Sequence, residues 1–238
     1  MRRLILLGAP VLVLAALGPA VVAQDAGDGP AAPAKPRALR LSLDLTSQID
    51  GEPEPSNTFQ YYLFERLSHF GIRVDSLRPC GAERLDGWIQ RRAARWEKDE
   101  PDAPPATLAL TGAAGCKYDD AQFFGQTQAH SFKGTVDVRL KNAAGTELFR
   151  VAFDHEWGQL PQRATKAQVQ QTYNDMVFTG VLLALLHRPE VVAGVPEGKR
   201  AELRTFIDAQ KQRLLGPLKE RLPDCQLVTL LEGLQPPR

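Results

Sequence analysis

Lys133–Phe153, "KGTVDVRLKNAAGTELFRVAF", is the stretch whose reading decides the fold. Two alternating runs flank a turn-forming centre. In the first, with the residues just before it, Phe132, Val136, Val138 and Leu140 share one face, and Lys133, Thr135, Asp137 and Arg139 share the other. In the second, continued to residue 157, Phe149, Val151, Phe153, His155 and Trp157 face one way, while Arg150, Asp154 and Glu156 face the other. A period of two buries one face of a strand and leaves the opposite face wet. Asn142–Thr146, "NAAGT", holds Gly145 and supplies the turn. The reading is an antiparallel hairpin, with Val138 expected near Phe149. Its apolar face needs a cover from the rest of the chain.

N-terminal to the hairpin, two further segments alternate. In Ala38–Ser47, Leu39, Leu41, Leu43 and Leu45 alternate with polar residues, and in Ile72–Leu77, Ile72 and Val74 lie on one side. Between them, Phe59, Tyr62, Leu63, Leu67 and Phe70 recur at helical spacing after Ser56, an N-cap candidate, and Gly71 marks the helix end. Gly81–Glu100 carries Leu85, Trp88, Ile89 and Trp96 on a second helical face, which Pro101–Ala106 stops. Thr107–Tyr118 reads as a long strand containing glycines, and Lys117–His130 as a polar loop with Phe123 and Phe124 in it. If the second helix is a crossover, the strands on either side of it run parallel.

C-terminal to the hairpin the pattern becomes helical. Ala164–His187 turns Val169, Tyr173, Met176, Val177 and Val181 inward, and Lys199–Leu222 carries Leu203, Phe206, Ile207 and Leu214 as a stripe that Gly216–Pro217 interrupts. The expected fold class is α/β (α+β). It is a two-layer sandwich of a mixed, mainly antiparallel sheet of about five strands, with helices on one face and a helical C-terminus. The expected organisation is a signal at 1–23, an Ala/Pro/Gly linker at 24–37, the sandwich at 38–190 and a helical extension at 191–238.

The first residues bound the compartment. Arg2 and Arg3 precede an apolar run from Leu4 to Leu17, and Val21-Val22-Ala23 offers small residues for cleavage. That is a three-part secretory signal, with cleavage expected after Ala23 and no transmembrane helix expected in the mature chain. Gln24 stands where a lipidation cysteine would be needed. The expected localisation is exported, either periplasmic or extracellular. A formal net charge of +1 gives no basic excess for nucleic acid, and 43% hydrophobic residues are enough for a core. Of the three cysteines, Cys80 and Cys116 are the pair expected to bridge, because both follow strands whose ends are expected at one sheet edge.

Phe153–Gly158, "FDHEWG", invites a catalytic reading. The zinc-protease signature requires a second histidine four residues on, on a helix, and Trp157-Gly158-Gln159-Leu160 lacks one. A strand also points residues 155 and 156 to opposite faces. The softer candidate is a polar cluster of His130, Asp154, His155 and Glu156, with the two histidines brought near each other by the expected register. No catalytic, cofactor-binding or metal-ligating residue is assigned, and no cofactor is expected. "GVPEGKR", Gly194–Arg200, has three residues between its glycines where a phosphate loop needs four. Phe123 and Phe124, expected at a polar hairpin end, are the candidate contact surface.

Taken together, the signal, the strand–helix–strand start and the "KGTVDVRLKNAAGTELFRVAF" hairpin followed by a helix resemble small α/β envelope proteins of the lipopolysaccharide-assembly lipoprotein LptE type. The resemblance spans Leu39 to His187 and is one of element order. It implies a non-enzymatic protein that binds a glycolipid or an envelope protein partner. The competing expectations are an extracytoplasmic hydrolase around His130 and His155, and a structural subunit that docks through its C-terminal helix.

Overall fold

The computed structural model describes residues 39–77, 83–99, 107–123, 126–157, 165–221 and 223–234. The expected signal, the linker and Cys80 lie outside them, as does Phe124.

The first strand, β1 (Arg40–Ile49), is the axis of the sheet. It pairs in parallel with β4 (Leu108–Phe123) from Leu41 to Ile49, which occupies one of its edges throughout. On its other edge it takes β3 (Arg73–Leu77) in parallel at Arg40–Leu43 and the short β2 (Glu52–Pro53) antiparallel at Gln48–Ile49. Beyond β4 the sheet continues as an antiparallel meander through β5 (Gln126–Asn142) and β6 (Glu147–Trp157). The result is a mixed six-stranded sheet with helices packed against it, the expected class. The strands flanking the second helix are parallel, as a crossover requires, and β1 lies between them.

Helices cover the face that alternation marked as apolar. The first helix, α1 (Thr58–His69), lies over β1 and β3, and its Phe59, Leu63, Phe64 and Leu67 have no exposed surface. Each such side chain contributes roughly 1.5–3 kcal/mol of burial. Its C-terminus is a complete Schellman motif. Gly71, at φ +78°, donates to Ser68 O, and Ile72 donates to Leu67 O. At the other end the expected Ser56 cap is replaced. The Glu54 carboxylate accepts from both the backbone N–H and the hydroxyl of Thr58, and Ser56 donates to Glu54 instead. The helix α2 (Glu83–Asp99) sets Trp88 edge-on against Phe64 and Tyr61 of α1.

The longest apolar helix, α3 (Lys166–Leu186), starts in a capping box between Thr165 and Gln168 and buries every residue from Met176 to Leu186. It lies over β5 and beside α1, where the Tyr62 and Thr179 hydroxyls meet at 2.7 Å. After α4 (Pro189–Val192), α5 (Glu197–Arg221) and α6 (Gln226–Gly233) pack on α3. Of the expected α5 stripe, Leu203, Ile207 and Leu214 are buried in the common core together with Leu218, while Phe206 is partly buried against it. Pro217 does not end α5; it sits inside a continuous helix, exposed beside Gly216. The outer edge of β6 is closed by a side chain, Gln226 accepting from the Ala152 backbone N–H at 2.8 Å. No described helix is long and apolar enough to cross a membrane.

Candidate functional site

The β4–β5 hairpin is longer than the sheet that holds it. Pairing with β1 ends at Cys116 and pairing with β6 ends at Phe132, the partner of Tyr118. From Asp119–Phe123 and Gln126–Ser131 the two strands continue alone among the described residues, through a bulge at Asp119/Asp120. The expected polar loop Lys117–His130 is therefore mostly strand. Phe123 pairs with Gln126 at the far end. A two-stranded ribbon with both outer edges unpaired is marginally stable by itself and offers backbone donors and acceptors to a further strand.

The root of the ribbon is latched. Asp50, at φ +54° in the turn after β1, accepts the Tyr118 N–H on its carboxylate at 2.8 Å and donates its own N–H to Cys116 O at 2.7 Å. Lys166 of α3 reaches Asp50 at 3.8 Å and lies over the Tyr118 ring. The Cys116 thiol is buried, 3.7 Å from the Tyr118 hydroxyl, and burial pushes its pKa up. The same cause holds the Tyr118 and Tyr173 hydroxyls protonated far above the ordinary tyrosine range. The expected Cys80–Cys116 bridge falls on an undescribed residue. The end of β3 at Leu77 pairs with Leu43, whereas Cys116 pairs with Ile49, so the two strand ends sit at different levels with β1 between them.

The "FDHEWG" stretch is the end of a strand. Asp154 and Glu156 are exposed on the uncovered face, Asp154 in an ion pair with Lys133 at 3.0 Å. On the same face Arg139 and Arg150 stand directly opposite each other, an arrangement of like charges that costs energy. Asp137 resolves it by accepting from both guanidinium groups at 3.0–3.3 Å, which lowers its carboxyl from an ordinary 3.8 to about 2. His155 is half-buried opposite Gly134.

The register corrects one expectation. Phe149 pairs with Leu140, not with Val138, although the turn itself falls where the sequence placed it. Asn142 closes it by accepting the N–H groups of Ala144 and Thr146, Gly145 adopts φ +80°, and a bulge at Leu140/Lys141 adds the remaining offset. A shift of two preserves the faces and moves the contacts. His155 thus sits beside Gly134, four residues along β5 from His130, about 13 Å at the rise of a strand. The expected histidine pair is not assembled by the strand register. No group of three metal-ligating side chains occurs among the described residues.

One feature that patterning did not reveal is a cleft between the C-terminal ends of β1 and β4 and the first half of α3. It is open to solvent, has room for about one water, and is lined by Glu54, Ala114, Cys116, Gln170, Tyr173 and Asn174, among others. Small residues on β4 leave the space. The only hint in the sequence is a pair of amides one helical turn apart, Gln170 and Asn174, beside the inward-facing Val169, Tyr173 and Val177.

No family model matches the sequence, and no curated protein does. Solved structures share parts of the architecture. A neuraminyllactose-binding hemagglutinin homologue from Helicobacter pylori is 10% identical with a TM-score of 0.36, covering 73% of this chain and 90% of its own. Lipoprotein GNA1162 from Neisseria meningitidis is 14% identical with a TM-score of 0.29, covering 60% and 96%. Rare lipoprotein B from Shewanella oneidensis is 9% identical with a TM-score of 0.27, covering 73% and 98%. Envelope lipoproteins are thus among the structures similar in part to this chain. Similarity at this level says nothing of its activity.

Proposed function

We propose that this chain is an exported, non-enzymatic protein of the cell envelope that binds or assembles with an envelope protein or lipid, in the manner that the LptE-type resemblance implies. The observation that carries the reading is the β4–β5 ribbon, which runs on past both of its neighbouring strands. A strand of a partner adding to either ribbon edge would stabilise an element that the fold itself leaves without lateral support. The alternatives draw less support: His155 lies opposite Gly134 and not His130, and Leu203, Ile207 and Leu214 of the α5 stripe are buried in the core.

The test is affinity capture with tagged Gln24–Arg238 from detergent-solubilised envelopes, reading proteins and lipids by mass spectrometry. A specific partner retained by the wild type, and lost by a folded Phe123→Ser/Phe124→Ser variant, is the expected result. Capture that survives those substitutions moves the contact off the ribbon. Turnover of a substrate that His155→Ala abolishes in a folded protein would overturn the non-enzymatic reading.

A further inference from the structure

We propose that the outer ridge of α2 is a contact surface for an anionic lipid membrane. It gives the lipid contact of the reading above a place on the molecule and does not depend on the ribbon. Three observations carry it. First, the cations are aligned. At 3.6 residues per turn, Arg84, Arg91, Arg95 and Lys98 fall within about 60° of arc on α2, a row about 21 Å long. The acidic residues of the helix, Glu83, Asp86, Glu97 and Asp99, all fall outside that arc. Ile89 is buried on the opposite side, so the row is the outermost line of the helix. The helix packs on α1 and on β3, which pairs only with β1 among the described strands.

Second, the charges are unspent. Arg91, Arg95 and Lys98 are exposed, and none has an ion pair or hydrogen bond among the described residues. Arg92, off the row, is held instead: it donates to Ser68 O at 3.3 Å and lies over the Trp88 ring. The row also works against the helix. Like charges four residues apart, such as Arg91 and Arg95, destabilise it, and Arg84 stands in the first turn, where the helix dipole disfavours a cation. Only Lys98, in the last turn, is favoured by the dipole. Helix stability therefore does not account for the row.

Third, its shape and flank suit a bilayer. A single row on a convex ridge meets a flat surface and offers no groove for a peptide. Trp88 is part-exposed about 60° round the helix from Arg91, and an indole with one apolar and one wet side suits the level of lipid headgroups. A nucleic acid would need a wider positive field, and the formal net charge of the whole chain is +1.

The experiment is co-sedimentation of the folded Gln24–Arg238 protein with vesicles of phosphatidylcholine alone and of phosphatidylcholine mixed with phosphatidylglycerol, at low and high salt. The expected result is saturable binding to the anionic vesicles only, weakened by salt. Near an anionic bilayer each Lys or Arg is worth roughly fivefold in affinity, so Arg91→Gln/Arg95→Gln/Lys98→Gln is expected to lose on the order of 100-fold. Its urea midpoint is expected to be unchanged or higher, since the like-charge repulsion is gone. A control of equal net charge, Lys117→Gln/Lys133→Gln/Arg204→Gln, removes three exposed cations elsewhere and is expected to keep most of the binding. The Phe123→Ser/Phe124→Ser variant is expected to bind vesicles as the wild type does, so the ribbon and the ridge fail separately. No binding to anionic vesicles overturns the proposal. So does equal binding to uncharged ones, binding that the α2 variant retains, or a wild type that prefers duplex DNA at matched phosphate concentration. If the triple variant fails to fold, Arg91→Gln alone decides, with an expected loss of roughly fivefold.

Discussion

The ring of Tyr173 lies against the backbone of Gly134. A Cβ at position 134 would stand 2.2 Å from Tyr173 Cε2, and the Tyr173 hydroxyl donates to the next residue's carbonyl, Thr135 O. This contact seats α3 on the hairpin. In a strand interior glycine is ordinarily weaker than alanine, so Gly134→Ala would stabilise if space allowed. The contact reverses the sign. Gly134→Ala is expected to cost roughly 1–3 kcal/mol through overpacking, read as a lower urea midpoint. An unchanged or higher midpoint would show that Tyr173 moves aside freely.

The second seat of α3 is polar. Tyr62 and Thr179 share a hydrogen bond, and Thr179 is 1% exposed. Tyr62→Phe leaves that hydroxyl with one partner fewer inside the core and is expected to cost about 1–3 kcal/mol. Adding Thr179→Val removes the stranded group, so the double variant is expected to recover part of the loss. A double variant less stable than the sum of its singles would mean that the hydroxyl pair is not the source of the cost.

These two contacts show what could be read from the chain and what could not. Alternation fixed the faces of β1, β5 and β6, since a side-chain period of two leaves no other way to bury Leu41, Val138 and Val151. The 3.6-residue period did the same for Val169, Tyr173 and Val177. Register was not legible. It depended on Asn142 reaching back into its turn and on one bulge, which patterning treats alike. The ribbon was hidden because "DDAQ" and "QTQAH" carry no apolar alternation; backbone pairing alone makes them strands. The cleft was hidden because it is defined by what β4 lacks, side-chain volume at Ala114 on the face under α3.

The charge pattern of the open face has a testable pH dependence. Asp137 is held at about 2 by the Arg139 and Arg150 side chains, against an ordinary 3.8. A depressed folded-state pKa means that its contribution is fully present above the ordinary value and is lost as pH falls through the folded one. The stability difference between wild type and Asp137→Asn is therefore expected to be constant near neutrality and to shrink between about pH 4 and pH 2. The cluster is solvent-exposed, so the difference is small and falls further at high salt. NMR titration of the Asp137 carboxyl carbon checks it directly. A midpoint near the ordinary value would remove the clamp between the two arginines.

Pro217 offers the last prediction. It lies inside α5 without a backbone N–H, so the Arg213 carbonyl four residues earlier has no intrahelical donor. Its immediate surroundings argue that nothing is gained by it in the fold. Gly216 and Pro217 are exposed, while Leu214 and Leu218 on either side are buried and hold the helix to the core. An interior proline costs a helix about 3 kcal/mol relative to alanine, offset by up to about 1 kcal/mol from its stiffening of the unfolded chain. Pro217→Ala is therefore expected to raise stability by about 1–2 kcal/mol, seen as a higher urea midpoint at an unchanged slope. A lower midpoint would carry the opposite meaning. The proline would then be bending α5 so that both Leu203 and Leu218 reach the same core, and straightening the helix would lift one end away from it.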